Sequence, residues 1–193
     1  MSVLSALESI PPHLAPIADR LREVTVEVST DGGSGAGILW SPDLVVTNAH
    51  VARAPRVHVG LADDRHLEAQ LVAADRRLDL ALLRMPRTRV TLASLADSDT
   101  LCVGALVVAL GHPLGLRRTL TAGVVHAIGP LAAGGRCWIH ADLRLAPGNS
   151  GGPLADTAGH VVGINTMITG GLALAIPIND VRRFVSAALA RTA

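Results

Sequence analysis

The stretch Ala146-Pro147-Gly148-Asn149-Ser150-Gly151-Gly152-Pro153 (APGNSGGP) places a single hydroxyl among three glycines and two prolines. Gly-Asn-Ser-Gly is a frequent composition of tight turns, so a purely structural turn is the first interpretation. The second interpretation is a serine held for chemistry, with free backbone N–H groups beside it. The remainder of the sequence decides between the two.

Composition predicts a compact globular protein. Of the 193 residues, 49% are apolar and 17% are charged, with one Phe, two Trp and no Tyr. The core must therefore consist mainly of aliphatic side chains, and a chain of this length can bury about 70% of the surface that it exposes when unfolded. The formal net charge is only +1 and basic residues occur as scattered pairs, which argues against nucleic acid as a partner.

The two cysteines and the histidines show no metal-binding pattern. Cys102 and Cys137 lack the C-x-x-C spacing of a metal or redox site. Each lies in an apolar stretch, which favours buried free thiols and leaves a disulfide between them as the less favoured alternative. The histidines form no H-E-x-x-H motif and no Cys/His cluster, so the sequence predicts no metal and no cofactor.

The N-terminal segment MSVLSALESIPPHLAP does not resemble a leader peptide, because Glu8 and Pro11-Pro12 interrupt its short apolar part. No run in the chain approaches the roughly 18 apolar residues of a membrane-spanning helix. For the chain as written, we expect a cytoplasmic protein with no membrane partner. If a leader has been removed, the expectation is a periplasmic or secreted protein.

From Val24 onward, apolar residues recur with the two-residue period of half-buried strands. Short runs of this kind follow one another, separated by turn residues: GILW (37–40), LVVTNA (44–49), RVHVGL (56–61), HLEAQLVAA (66–74), LDLALLRM (78–85), CVGALVVALG (102–111), TLTAGVVHAIG (119–129), CWIHADL (137–143), GPLAD (152–156), HVVGINTMI (160–168) and LALAIPI (172–178). The polar segment 86–100 divides them into two sets of five or six. The pattern predicts an all-β protein with a crossover between two β-barrels.

Two short helices are predicted near the ends of the chain. Residues 13–22 carry apolar side chains at helical spacing, and Asn179 is suited to cap a closing helix. The apolar face of that closing helix is predicted to contain Val181, Phe184, Val185, Ala188 and Leu189. The predicted divisions are an N-terminal segment with a helix (1–23), a first barrel (24–90), a crossover and second barrel (91–178), and a C-terminal helix (179–193).

Three side chains, distant along the chain, form a candidate constellation around Ser150. An activated serine needs a base within hydrogen-bond reach and a third group that orients the base. His50 follows the strand run 44–49, and Asp79 interrupts an apolar run. A carboxylate among leucines is costly to bury alone, and a histidine N–H is one suitable partner. Judged alone, Asp79 could equally lie at a strand end or face solvent, and His50 could be an ordinary structural histidine.

Several sequence blocks occur in a fixed order around these candidates. Three of them contain the candidate side chains: Thr47-Asn48-Ala49-His50-Val51, Asp79-Leu80-Ala81-Leu82-Leu83 and Gly148-Asn149-Ser150-Gly151-Gly152-Pro153-Leu154. Others are GSG (33–35), LGHPLGL (110–116), TAGVV (121–125), VGINT (162–166) and AIPIN (175–179). Together they resemble chymotrypsin-fold serine proteases, of the HtrA/Deg type in particular, over about residues 14–185.

This resemblance implies two six-stranded antiparallel β-barrels and a serine endopeptidase that cleaves exposed or unfolded polypeptides through an acyl-enzyme. Ser150 would be the nucleophile, His50 the general acid and base, and Asp79 the group that orients His50. The backbone N–H groups of Gly148 and Ser150, with Asn149 between them, would form the oxyanion hole. The resemblance also implies a homo-oligomer, with a trimer as the usual family assembly.

The resemblance places the primary specificity pocket at Leu145, Thr169 and Leu174, an uncharged lining suited to a small or medium aliphatic side chain before the scissile bond. The sequence departs from the family at Ala146, where Asn is usual, and at Arg144, in a run that approaches this pocket. No PDZ domain is recognisable. Regulation is therefore expected through the chain's own loops, through oligomerisation, or not at all.

Gly148-Asn149-Ser150-Gly151-Gly152 also satisfies G-x-S-x-G, the nucleophile motif of α/β-hydrolases. In those enzymes the acid and then the histidine follow the serine. Here Asp156, His160 and Asp180 follow Ser150, the sole histidine is ten residues on, and no βα units surround it. The order His50, Asp79, Ser150 is that of chymotrypsin-type enzymes. Two alternatives stay open from the sequence: a non-cleaving, chaperone-like peptide binder and an esterase that uses the same three side chains.

Overall fold

The computed structural model of the protein describes residues 11–112 and 119–191. Residues 113–118, which include the last four residues of the sequence block 110–116, lie outside the described residues. Within the described part, the chain folds into two β-barrels with one α-helix before the first and one after the second.

Six strands close the first barrel in the order β1-β2-β3-β6-β5-β4, and β4 pairs with β1. Their bounds are β1 (Thr25–Thr30), β2 (Gly33–Ser41), β3 (Leu44–Thr47), β4 (Arg56–Gly60), β5 (His66–Asp75) and β6 (Leu80–Arg84). All pairings are antiparallel. Side chains on β4 alternate strictly between exposed and buried, because successive residues point to opposite faces of the barrel wall.

The second barrel repeats this arrangement with six further antiparallel strands. Their bounds are β7 (Leu106–Gly111), β8 (Thr119–Pro130), β9 (Cys137–Asp142), β10 (Pro153–Asp156), β11 (Val161–Thr169) and β12 (Leu172–Pro177). The order β7-β8-β9-β12-β11-β10 closes through the pairing of β10 with β7, which is the same order as in the first barrel. The prediction of an all-β fold with two six-stranded antiparallel barrels is confirmed.

The crossover between the barrels is irregular except for a short 3₁₀-helix, Ser98–Thr100. The first α-helix, α1 (Pro11–Val24), extends beyond the predicted residues 13–22 at both ends. The second, α2 (Ile178–Ala190), buries one apolar face against the barrels: Ile178, Val181, Phe184, Val185 and Ala188. Among the described residues, no helix is long and apolar enough to cross a membrane.

Asn179 does not cap α2, contrary to the sequence prediction. The helix begins one residue earlier and Pro177 occupies the cap position without a side-chain hydrogen bond. The Asn179 side chain instead donates to Asp97 Oδ1 at 2.6 Å, and its backbone N–H donates to Ser98 Oγ at 3.2 Å. A distant segment thus supplies the acceptor that a local cap normally provides, and it joins α2 to the crossover.

Aliphatic side chains fill three clusters, as the composition predicts. One fills the interior of the first barrel, around Val45 and Leu83, and another fills the second barrel, around Ile139 and Leu154. The third cluster packs both helices against the two barrels. The prediction of buried cysteines is wrong: Cys102 and Cys137 are exposed free thiols, because Cys102 lies in the loop before β7 and Cys137 points outward from the start of β9.

Candidate active site

His50 and Asp79 meet at one end of the first barrel. Strands β3 and β6 are paired so that Thr47 lies opposite Ala81, which brings the turn after β3 next to the turn before β6. His50 Nδ1 lies 2.8 Å from Asp79 Oδ2, and the backbone N–H of His50 donates to Asp79 Oδ1 at 3.0 Å. The carboxylate therefore holds both the ring and the backbone of His50, and the pairing of two neighbouring strands positions the contact.

The Asp79 carboxylate is mostly buried, with its side chain 15% exposed, and donors surround it. Besides His50, the Thr166 hydroxyl donates to Asp79 Oδ2 at 2.6 Å, although Thr166 belongs to β11 of the second barrel. Burial raises the pKa of Asp79, but hydrogen bonds from His50 and Thr166 and the charge of His50 outweigh burial, so the net pKa lies below its ordinary value. Asp79 therefore stays ionised at acidic pH values at which most carboxyl groups begin to protonate.

The turn that carries Asp79 has an unusual backbone conformation and is held from several sides. Asp79 has φ of +56°, a left-handed conformation that Asp tolerates better than most residues. The buried Asn48 side chain donates to the Asp79 carbonyl at 2.8 Å. Asp75 Oδ1 accepts the backbone N–H groups of Arg77 at 2.8 Å and Leu78 at 2.9 Å. Backbone and side chain of Asp79 are thus fixed independently.

Arg136 reaches this turn from the second barrel. It lies in the loop between β8 and β9, and its guanidinium donates to the carbonyl of Leu78, the residue before Asp79. The guanidinium stacks over the indole of Trp138, 3.5 Å from the ring centroid. Burial lowers the pKa of Arg136, and the charges of Asp79, Asp180 and Asp75 offset part of that effect. A half-buried cation therefore connects the second barrel to the Asp79 turn.

Ser150 lies in the loop between β9 and β10 and faces the same cleft as His50. This cleft encloses about 200 Å³ and is also lined by Ser34, Pro147 and Gly148. The Ser150 hydroxyl donates to the Thr166 carbonyl at 2.8 Å, and among the described residues it makes no hydrogen bond to His50. Thr166 therefore contacts both Ser150, through its carbonyl, and Asp79, through its hydroxyl.

The glycines of the opening stretch allow the Ser150 loop to press against the first barrel. The carbonyl of Ser150 accepts the backbone N–H of Ala36, in β2, at 2.8 Å. Gly151 has φ of +86°, and a Cβ there would collide with the Ala36 carbonyl and the Thr47 hydroxyl. Only glycine satisfies both the backbone angle and the close approach. The stretch is therefore a contact between barrels that also carries the serine.

The two predicted oxyanion-hole donors have no internal hydrogen-bond acceptor in the described part of the chain. Gly148 has φ of +107°, and its carbonyl accepts the backbone N–H of His112 at 3.1 Å. The N–H groups of Gly148 and Ser150 have no hydrogen-bond acceptor among residues 11–112 and 119–191. The N–H of Asn149, which lies between them, donates to the Ala146 carbonyl at 3.0 Å and closes the turn.

A cavity of about 270 Å³ lies on the β11 side of Ser150. Its lining comprises Leu145, Ala146, Pro147, Asn149, Ser150, Thr166, Met167 and Ile168. Of the three predicted pocket residues, only Leu145 lines it. Leu174 lies opposite Met167 in the β11–β12 pairing, but its side chain is completely buried in the core. Thr169 is exposed at the end of β11, one residue beyond Ile168, where the cavity lining on this strand ends. Arg144 is exposed and does not line the cavity, so the lining carries no charge.

Sequence reasoning missed three residues that support the Asp79 turn. Thr166 and Asn48 each lie in a sequence block that carried the family resemblance, but no role was assigned to either. Arg136 had no local signal, because its contact joins two positions 58 residues apart in different barrels.

Comparison with known proteins agrees with this geometry. The trypsin-like peptidase domain matches residues 35–164 of the chain. Serine protease HTRA4 of Mus musculus is 35% identical over 196 residues, which cover 95% of this chain and 40% of that protein. A probable periplasmic serine endoprotease DegP-like of Pseudomonas fluorescens is 38% identical over 195 residues, which cover 90% of this chain and 40% of that protein.

Solved structures give the same result. The HtrA-type protease AlgW with tripeptide superposes with a TM-score of 0.84 at 31% identity, covering 90% of this chain and 62% of that one. AlgW with decapeptide superposes with a TM-score of 0.83 at 27% identity, covering 91% and 67%.

The chain therefore belongs to the trypsin-like peptidase family. Within that family, it is similar to proteases of the HtrA and DegP type. The chain spans about 40% of the length of the curated relatives HTRA4 and DegP-like that it matches.

The Thr166 hydroxyl is expected to stabilise the fold in a pH-dependent way. The pKa of Asp79 lies below the value of about 3.9 in an unfolded chain, so its ionised form stabilises the fold above that pH, and this contribution disappears as the pH falls through the folded-state pKa. Thr166→Val removes one donor and raises that pKa. We expect a loss of about 1–2 kcal/mol in the free energy of unfolding at pH 7, which shrinks by about pH 3. Urea unfolding at both pH values measures it.

Thr25→Val is the matched control. The buried Thr25 hydroxyl donates to the Leu21 carbonyl at 2.6 Å, and this acceptor does not titrate. The stability cost of Thr25→Val should be the same at both pH values. An equally constant cost for Thr166→Val would contradict the role of Thr166 in holding Asp79 ionised.

Proposed function

We propose that this chain is a serine endopeptidase in which Ser150 attacks the carbonyl carbon of a peptide bond. The main observation behind the proposal is that Thr166 contacts both Ser150 and Asp79. Its carbonyl accepts the Ser150 hydroxyl while its own hydroxyl donates to Asp79, the carboxylate that holds His50. Membership of the trypsin-like peptidase family and the names of the relatives, which are serine proteases, support the same reaction.

His50 acts as the general base and then as the general acid. The contact of its Nδ1 with the ionised Asp79 places the proton of the neutral ring on Nδ1, which leaves Nε2 free to accept one. Rotation about the Cα–Cβ bond of Ser150 moves its hydroxyl from the Thr166 carbonyl toward the imidazole. As the serine oxygen attacks, its proton passes to Nε2, and Asp79 stabilises the resulting imidazolium.

The N–H groups of Gly148 and Ser150 would bind the oxygen that becomes negative in the tetrahedral intermediate. Such donors stabilise charge strongly because they need no reorientation during the reaction, and losing one typically costs about 10²–10³ in rate. The positive φ of Gly148 and the free N–H groups favour cleavage over a silent peptide binder, in which these donors would be turned away. The proton then returns from His50 to the leaving amine, and water completes hydrolysis of the acyl-enzyme.

The aliphatic cavity beside Ser150 would take the side chain that precedes the scissile bond. Leu145, Met167 and Ile168 form apolar walls, and the volume of about 270 Å³ suits a small or medium side chain. The substrates would be polypeptides, in keeping with the tripeptide and decapeptide in the similar structures.

The compartment and the assembly are part of the proposal. Several relatives are named periplasmic, which favours the periplasmic expectation over the cytoplasmic one. Assembly as a homo-oligomer, a trimer by analogy with the family, rests on the resemblance alone.

The first test removes the nucleophile. Ser150→Ala should lower kcat by about 10⁴–10⁶ on a peptide substrate and abolish labelling by a fluorophosphonate probe. Ser186→Ala, at an exposed serine on α2, should label and cleave like the wild type. Equal labelling of wild type and Ser150→Ala would show that another residue reacts. Parallel assays on casein and on a nitrophenyl ester separate an endopeptidase from an esterase.

The second test concerns Arg136, which positions the Asp79 turn without touching substrate. Arg136→Gln removes the guanidinium contact to the Leu78 carbonyl, and we expect kcat to fall about tenfold while KM changes little, since small displacements of catalytic groups slow reactions strongly. Arg183→Gln is the control. Arg183 and Arg136 both line a cavity of about 680 Å³, but Arg183 pairs with Asp180 on its own helix. Circular dichroism measures the folded fraction of each variant. If the loss of activity in Arg136→Gln is no larger than its loss of folded protein, the positioning role is contradicted.

The third test concerns the specificity pocket. Peptides that differ only in the residue before the scissile bond should show kcat/KM at least about tenfold higher for Val or Ala than for Lys or Asp, because the lining has no charge. Leu145→Asp should raise cleavage after Lys, whereas Leu131→Asp, at an exposed residue outside the cavity, should leave the profile unchanged. Dominant cleavage after Lys or Arg by the wild type would refute the pocket assignment.

A further inference from the structure

A second cavity next to His50 differs in chemistry from the aliphatic one. It encloses about 400 Å³ on the first-barrel side of the cleft and is lined by Ala49, His50, Ala52, Arg53, Leu71, Ala74, Arg76 and Asp79. The aliphatic cavity shares none of these residues, since it is lined by Ser150 and this cavity is lined by His50. Two arginines give this second cavity its charge.

Among the described residues, the one carboxylate that lines this cavity, Asp79, is held by hydrogen bonds to other groups. Both carboxylate oxygens of Asp79 accept hydrogen bonds, from the ring and backbone of His50 and from Thr166. Asp79 makes no ion pair with Arg53 or Arg76, and two guanidinium groups outweigh its single charge, so the cavity is net positive. The two guanidinium groups determine what charge an incoming side chain would meet.

The two arginines have no carboxylate partner in the part of the chain that the structure describes. Arg53 donates through Nε to the His50 carbonyl at 2.6 Å, which fixes its direction and leaves its terminal nitrogens available. Arg76 is exposed in the turn before Asp79 and makes no ion pair among residues 11–112 and 119–191. Among the residues that the structure describes, two guanidinium groups without an ion pair therefore line one cavity beside His50.

We propose that this cavity is a subsite for an acidic side chain of the substrate, Asp or Glu, at a position that flanks the scissile bond. The inference rests on the proposed endopeptidase function and adds a substrate class to it. A carboxylate between two guanidinium groups makes charge-assisted, often bidentate hydrogen bonds. Leu71, Ala52 and Ala74 provide an apolar wall for the methylene groups. A preferred substrate thus carries an aliphatic residue before the cut and an acid near it.

The effect on specificity should be moderate because the arginines are solvent-exposed. A single exposed ion pair contributes little to the free energy of binding. Bidentate hydrogen bonds and a second cation each increase that contribution. We expect an acidic residue to raise kcat/KM about five- to tenfold over its amide, Asp against Asn or Glu against Gln. Because salt screens exposed charges, the preference should shrink at high ionic strength.

The experiment measures the acid-to-amide ratio of kcat/KM for peptides that vary at each position around one scissile bond. For the wild type, one position should show the five- to tenfold ratio. Arg76→Glu should bring the ratio at that position below one and favour Lys there. Arg77→Glu is the matched control, since it makes the same charge change one residue away, outside the cavity, and should keep the wild-type ratio.

The outcomes separate this inference from the proposed function. Cleavage of every peptide with a ratio near one at all positions would overturn the acidic subsite and leave the endopeptidase intact. A ratio that falls equally in Arg76→Glu and Arg77→Glu would also overturn it, because the effect would then be general electrostatics. Absence of cleavage and of Ser150 labelling would overturn both proposals.

Discussion

The ionised carboxylate of Asp79 is the constraint on which the rest of the site depends. Burying a charge is costly unless hydrogen bonds replace the lost water, and here the donors come from both barrels. His50 contributes its ring and its backbone from the end of β3, and Thr166 contributes a hydroxyl from β11. The charge is therefore well satisfied only when the two barrels are docked, so formation of the site and association of the barrels support each other.

Contacts between the barrels include short backbone segments as well as the aliphatic cluster that both barrels share. The Ser150 carbonyl bonds to Ala36 of the first barrel, and Gly151 allows this approach because it has no Cβ. With only 2% aromatic residues, the chain joins its barrels through aliphatic side chains and close backbone approach. The Arg136 guanidinium, stacked on Trp138, is the exception and uses one of the two tryptophans.

Most of the fold could be predicted from the sequence because strand periodicity and turn residues are local signals. The contact between His50 and Asp79 was predictable because both lie in ordered sequence blocks, while the role of Ser150 beside them stays a prediction. Contacts that depend on exact loop paths were not predictable. Asn149 donates its N–H within its own turn, Leu174 turns into the core, and Asn179 binds the crossover instead of capping its helix. Each outcome depends on a partner distant in sequence or on a loop geometry that residue types alone do not determine.

The hydrogen bond from Ser150 to the Thr166 carbonyl is compatible with a reactive serine. A single hydrogen bond contributes only about 1 kcal/mol net, so exchanging one acceptor for another during a side-chain rotation costs little free energy. The rotation leaves the backbone N–H groups of Gly148 and Ser150 in place, because the loop is fixed by the His112, Ala36 and Ala146 contacts and not by the hydroxyl. The proposed nucleophile can therefore move while the proposed oxyanion-hole donors stay in place. This division favours catalysis because only the fixed donors must be organised in advance.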